Sequence, residues 1–223
     1  MNKILKAGIL IIALVIPALI FLNLKYFAHN HYRLPVYYAI DSTENGKNFK
    51  ITKAHSIPDF KLLSQDSVLV SLSKFKNKIL IVDFVFTRCQ TICPKMTNEL
   101  LRIQEDFADD SDVNIISFTV DPEFDKPYVL KKHILDKNVD INKWTFLTGT
   151  KDSIYALAQI GFFLTAMEDR DRPLEFIHSD KVVLVDKKGW IRGYYNGTDR
   201  KDIERLVAEI KVLKKIYADE SGE

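Results

Sequence analysis

Two cysteines, Cys89 and Cys93, are all that this chain of 223 residues contains, and they stand four apart. That scarcity excludes a disulfide-stapled framework, because a bridge between such close neighbours closes a short loop and removes little entropy from the unfolded chain. It also excludes a cysteine-built structural zinc site, which needs four protein ligands. An excess of one charge is missing too: 32 Lys and Arg face 30 Asp and Glu. Residues 1–25 hold three of the lysines and no acid, so the remainder carries 29 basic and 30 acidic side chains. A nucleic-acid-binding domain shows net positive charge gathered in a patch, and that class is set aside. Internal repeats and low-complexity tracts are absent, which removes solenoids and biased tails.

Long hydrophobic runs are equally scarce, with one exception. Ala7 to Leu24 is 18 residues without a charge, preceded by Lys3 and Lys6 and followed by Lys25. A stretch of that length is about enough to span a bilayer. A cleaved signal peptide is the alternative, but its apolar core is shorter and ends in a small-x-small site, which Phe21-Leu22-Asn23-Leu24 does not offer. The reading is therefore residues 1–25 as a cytoplasmic tip and transmembrane anchor, 26–54 as a polar tether, and 55–223 as the domain. Lysines on a short tail stay inside, which puts the domain on the extracytoplasmic side of a single-pass membrane protein.

With 47% hydrophobic residues the domain can build a core. Phe60 to Leu63 and Val68 to Leu72 read as a hairpin, and Ile79 to Phe86 and Val113 to Val120 as buried strands. Met96, Leu100, Ile103 and Phe107 form one apolar helical stripe, and Asp125 with Pro127 opens a second helix. Trp144 to Leu147 is a short strand. Thr150 caps residues 151–160, which Gly161 stops. Lys181 to Val185 and Trp190 to Tyr195 flank the turn Asp186-Lys187-Lys188-Gly189, and Thr198 or Asp199 starts a last helix carrying Ile203, Leu206, Ile210, Leu213 and Tyr217 on one face. This order predicts an α/β fold, a thioredoxin-like sandwich with a mixed β-sheet covered by helices on both faces.

Both cysteines sit where a buried strand yields to a helix, the place where open α/β sheets build their sites. Pro94 suits the helix's first turn, so the thiols lie near a helix N-terminus, where the dipole favours thiolate. They read as a redox pair, a soft-metal site or reduced core cysteines. A dithiol oxidoreductase usually carries C-x-x-C, whereas this pair is one residue wider. Two thiolates four apart can converge on a soft ion such as Cu(I). A third ligand must come from elsewhere, and His178, just ahead of the strand from Lys181, is the candidate; the alternative is a satisfied loop histidine. His29 and His31 lie in the tether, and His55 reads as a strand-entry residue. His133 falls on the polar side of its helix. Asp121 is either a support for the site or a loop cap, and Asn196-Gly197-Thr198 is either a glycosylation sequon or a turn.

The motif Phe86-Thr87-Arg88-Cys89 to Cys93-Pro94, with Met96 behind it, resembles the Sco/SenC family of thioredoxin-fold copper proteins. Ile57-Pro58-Asp59-Phe60, Val120-Asp121-Pro122-Glu123, Leu147-Thr148-Gly149-Thr150 and His178-Ser179 recur in the same order, so the resemblance covers roughly His55 to Tyr217. It implies copper, as Cu(I) and also Cu(II), held by Cys89, Cys93 and His178. The implied function is that of a membrane-anchored metallochaperone in a bacterial inner membrane, with its domain facing the periplasm. Its partner would be the copper-receiving subunit of cytochrome c oxidase or another copper or thiol protein, to which it supplies copper or whose cysteines it prepares. The alternative is a tethered thiol–disulfide oxidoreductase without metal, in which Cys89 and Cys93 form the catalytic redox pair. Ile177 stands where the family commonly has Asp, and no proline directly precedes Lys181, where thioredoxin oxidoreductases carry one.

Overall fold

The computed structural model describes residues 12–22, 34–45, 48–164, 167–168, 176–177 and 180–221. The chain divides into two compact units, 1–33 and 34–223. In the first, residues 12–22 form helix α1, with its apolar side chains exposed. Eleven residues rise only about 16 Å, roughly half the hydrocarbon thickness of a bilayer. Among the described residues no helix is long and apolar enough to cross a membrane. Residues 7–11 and 23–24 of the expected span lie outside the described residues, as do His29 and His31.

In the second unit, β1 (Ala39–Asn45) and β2 (Asn48–Ala54) pair as an antiparallel hairpin, so the stretch read as a polar tether contains a small sheet of its own. The main sheet has seven strands. These are β3 (Lys61–Ser64), β4 (Leu69–Ser71), β5 (Ile79–Val85), β6 (Val113–Thr119), β7 (Trp144–Thr148), β10 (Lys181–Val185) and β11 (Ile191–Asn196). A separate short pair, β8 (Met167–Glu168) with β9 (Phe176–Ile177), lies between β7 and β10 in the chain. The strand order is β11-β10-β5-β6-β7-β3-β4, with β5, β6 and β7 parallel and the other pairings antiparallel. It is the predicted mixed sheet.

Every residue of β5 is buried. Successive side chains of a strand point to opposite faces, so both faces of the sheet must be covered there. On one face Phe84 stacks on Phe118, and Phe60 and Phe162 close over them. On the other lie Asp83, Ser117, Trp144 and Phe146; His133 of α3 (Pro127–Leu135) packs against the Phe146 ring. Helix α2 (Ile92–Asp106) buries Cys93, Met96, Leu100 and Ile103, and α5 (Arg200–Ser221) buries Ile203, Leu206, Ile210 and Leu213. Thr150 caps α4 (Lys151–Ala156) by accepting from the Ser153 N–H, as its sequence position predicts. Asp199 does the same for α5, accepting from Lys201 N–H.

Two local expectations fail for physical reasons. Gly161 does not end its helix in a left-handed conformation. It closes a π-helical turn (Leu157–Gly161), where a Cβ would meet Pro58 at 2.9 Å, and the positive φ falls on Phe163 instead. The glycine is there for close approach. Asp125 does not cap α3: Lys126 occupies that position without a side-chain cap bond, and Asp125 turns inward, fully buried. Its partners lie beside the cysteines.

Candidate metal and thiol site

Strand β5 delivers the chain to the cysteine loop. Beyond Val85, pairing with β6 continues through Val120 N–H to Val85 O at 2.8 Å, and Cys89 N–H donates to Phe86 O. The chain then turns into α2. Its N-cap, Thr91, makes no side-chain cap bond. A helix start leaves N–H groups without intrahelical partners, and here the Cys93 N–H donates to Cys89 Sγ at 3.4 Å, while Thr91 Oγ1 lies 3.6 Å from the same sulfur. Cys89 thus takes up the acceptor role of a cap, which is a use for a thiolate.

The two thiols are unequal. Burial pushes Cys89 up, but the N–H groups of Cys93 and Thr91 and the Thr91 hydroxyl outweigh it, and the Cys89 pKa ends below the ordinary thiol value. Cys93 is shifted strongly upward, chiefly by burial. The neighbouring Cys89 sulfur and the Asp83 carboxyl add to that, against a smaller opposing contribution from the Phe86 backbone. The expectation that both thiols favour thiolate therefore holds for Cys89 and fails for Cys93. Cys93 sits inside the helix's first turn, facing the core rather than its free N–H groups. No disulfide joins the two in this structure.

Beneath the pair lies Asp83, 0% exposed. Ser117 Oγ donates to its Oδ1 at 2.5 Å, and Trp144 Nε1 donates to Ser117 Oγ at 2.7 Å, while Asp83 Oδ2 has no partner. Burial raises its pKa to about 7 despite the Ser117 bond. The sequence carried a signal for it: one acid in an otherwise apolar run, Ile79-Leu80-Ile81-Val82-Asp83-Phe84-Val85.

The loop between β6 and α3 braces the cysteine loop from the side. Asp121 holds Arg88 through both Nε and Nη2, and the guanidinium lies over the Phe124 ring at 4.3 Å. The Asp121 carboxylate therefore meets the cysteine loop through Arg88, while its backbone oxygen accepts from the Phe124 and Asp125 N–H groups. Asp125 accepts from Thr87 N–H at 3.0 Å, from the Thr87 hydroxyl, and from the Thr119 hydroxyl at 2.5 Å. Burial raises its pKa, with the Thr119 and Thr87 bonds opposing.

The remaining candidates separate clearly. His178 lies outside the described residues. His55 has its Nε2 2.9 Å from Gly161 O. His133 is not on a solvated face: it packs on Phe146, and burial, followed by Lys137, lowers its pKa. Asn196 Oδ1 accepts from both the N–H and the hydroxyl of Thr198, which is the turn reading. Among the described residues no group of three or more His, Cys, Asp or Glu could hold a metal ion. The donors in view are the two cysteine sulfurs, with Cys89 Sγ accepting from the Cys93 N–H. That donor set suits a soft ion such as Cu(I) and not a hard one.

The SCO1/SenC family model matches residues 49–215. The chain belongs to the SCO1/SenC family. A SCO1 protein homolog of Bacillus subtilis (strain 168) is 32% identical over 167 residues, covering 74% of this chain and 86% of the relative. Among solved structures, a SCO1/SenC family lipoprotein from Bacillus anthracis superposes with a TM-score of 0.66 at 29% identity, covering 72% of this chain and 95% of that one. BsSco, described as a member of the Sco family of cytochrome c oxidase assembly proteins with a disulfide switch, gives a TM-score of 0.62 at 33% identity, covering 70% and 92%. This SCO1/SenC chain thus has the fold its motif order predicts, and the family match spans the cysteine loop, both supporting aspartates and His178.

Proposed function

We propose that the protein is a copper metallochaperone of cytochrome c oxidase assembly, with Cys89, Cys93 and His178 as the copper ligands. The observation that carries this is the Cys89–Cys93 pair: two thiols at the start of α2, with Cys89 Sγ accepting from the Cys93 N–H at 3.4 Å, inside a domain of a family with an oxidase-assembly member. Two thiolates bind Cu(I), and an imidazole adds a borderline ligand that also accepts Cu(II). Copper is the cargo. Cys89, whose pKa lies below the ordinary thiol value, is the readier of the two to offer a thiolate, and Cys93 releases its proton as the ion binds. The acceptor is the copper-receiving oxidase subunit or another copper or thiol protein. The charge-free run from Ala7 serves as an inner-membrane anchor and holds the domain on the extracytoplasmic side, followed by the tether at 26–54 and the domain at 55–223. A family member from B. anthracis is itself a lipoprotein.

A second reading draws on the unequal thiols. The Cys89 thiolate attacks a partner's disulfide, forming a mixed disulfide and releasing one partner thiolate. Cys93 then loses its proton and attacks the Cys89 sulfur; the intramolecular disulfide forms and the second partner thiol leaves. The partner is reduced and this chain oxidised, which would prepare cysteines to receive copper.

Chelator competition decides between them. Wild type, Cys89→Ser, His178→Ala and His133→Ala are titrated with Cu(I) and Cu(II) under reducing and non-reducing conditions as each ion requires. His178→Ala should keep Cu(I) weakly and lose more of its affinity for Cu(II), by at least about the 10–100-fold that follows loss of a supporting partner. Cys89→Ser should lose Cu(I), and His133→Ala should match wild type. Equal affinities in all four would remove the copper site and leave the thiol reading.

A further inference from the structure

We propose that Asp125 is a positioning residue for the cysteine loop, clamping Thr87 so that Cys89 is held, two residues on, as a preformed ligand. The inference deepens the copper reading and rests on it in one arm only. Asp125 is 38 residues from Thr87 in sequence, fully buried, and carries three hydrogen bonds that converge on its carboxylate.

The network has a direction. Thr87 N–H can only donate, and it donates to Oδ2. The Thr119 hydroxyl donates to the same oxygen and accepts from Asp121 N–H at 3.0 Å, so its role is fixed as well. The Thr87 hydroxyl donates to Oδ1 but can rotate to accept instead. The carboxylate itself is anchored, because Asp125 N–H and Phe124 N–H both donate to Asp121 O, at 2.8 and 3.1 Å. Thr119 belongs to the strand paired with β5, and its Cα partner is Val85. The clamp therefore ties the end of β5 to the end of β6 and fixes where the cysteine loop begins. The second tie, Arg88 to Asp121, is half-exposed and so weaker.

This scheme predicts a ranking that loss of fold stability alone does not. Asp125→Ala removes the acceptor for all three donors. Asp125→Asn keeps an oxygen toward Thr87 N–H and Thr119 while its amide faces the Thr87 hydroxyl, which then accepts, so the clamp survives. Thr87→Val keeps the backbone bond and loses the hydroxyl bond. Ile134→Ala, in the buried face of helix α3, which follows Asp125 in the chain, unsettles packing without touching the clamp.

The test uses the full chain, reduced and copper-free, and measures the rate at which Cys89 is alkylated by iodoacetamide under native conditions. Cys89 is 8% exposed in the clamped loop. Asp125→Ala should react several-fold faster, Thr87→Val should fall between, and Asp125→Asn and Ile134→Ala should stay close to wild type. In parallel, Cu(I) affinity by chelator competition should fall by about 10–100-fold for Asp125→Ala, the range for lost support of a ligand. If Asp125→Ala does not fold, Thr87→Val against Ile134→Ala carries the same comparison. Alkylation rates for the clamp variants no faster than for Ile134→Ala would overturn the proposal. Failure of the wild type to bind Cu(I) would instead remove the copper reading, while the alkylation arm would still decide the clamp.

Discussion

Two turns at opposite ends of the sheet are organised by a buried aspartate, and they do it in contrasting ways. At the β10–β11 turn, Asp186 accepts from Lys188 N–H and Trp190 N–H and pairs with Arg192 at 2.8 Å, all within six residues of itself. At the cysteine loop, the organising carboxylate is Asp125, from another loop altogether. The first turn is closed on itself and does one thing, joining two strands, with Gly189 at φ +78. The second is held from outside at Thr87, and within it Cys89 Sγ accepts from the Cys93 N–H at the start of α2, so the reactive sulfur sits on a loop whose entry is fixed by another segment. A turn that must present reactive atoms delegates its own support.

The sharpest way to break this comparison is to strip a buried aspartate of its partner. Arg192 is about as buried as Asp186, and it also donates to Leu34 O and Pro35 O. Arg192→Met should leave the buried Asp186 without its ion-pair partner, and cost about 3–5 kcal/mol in urea unfolding, the range for breaking a buried ion pair from one side. A loss below about 1 kcal/mol, as for a surface pair, would mean that water reaches the turn.

Asp83 is also buried, and its Oδ2 has no hydrogen-bond partner. Its folded pKa is raised to about 7 against an ordinary value of 3.8. The folded state therefore keeps a proton that the unfolded state has lost between those values. Linkage then makes stability full below about pH 4 and lost as pH rises to about 7. Asp112 and Asp202 are lowered, the first chiefly by Lys187 and the second by the Asn196 N–H and Arg205 against burial, so they contribute the opposite slope. The difference between Asp83→Asn and wild type isolates the term. The two should be equally stable near pH 4, and the variant should be more stable by a few kcal/mol near pH 8. A difference that does not change with pH would show that Asp83 is ionised throughout.

The same contrast explains what the sequence made legible. Local chemistry was readable: the Asp186 to Gly189 turn, the Thr150 cap, the strands of the main sheet along the chain, and Cys89 and Cys93 at the strand–helix junction. What escaped depends on residues far apart in the chain. Asp125 looks like a cap because Pro127 follows it, yet its partners are Thr87 and Thr119. Gly161 looks like a helix stop, yet Pro58 is what requires it. The inequality of the thiols was hidden for the same reason: Cys93 is shifted by burial under the sheet and by Asp83, ten residues before it. For a loop supported by its neighbours, spacing along the chain locates the reactive atoms but not what tunes them.

The central claim is that the site consists of two unequal thiols, one poised as a thiolate by the start of α2 and one kept protonated beneath it. The most direct measurement is the pH dependence of alkylation at each cysteine, read peptide by peptide from the reduced, copper-free full chain. Cys89 should begin to react below the pH at which an ordinary thiol does, while Cys93 stays unreactive in the folded protein across the neutral and mildly alkaline range. Equal rates and a shared pH profile for the two would contradict the account.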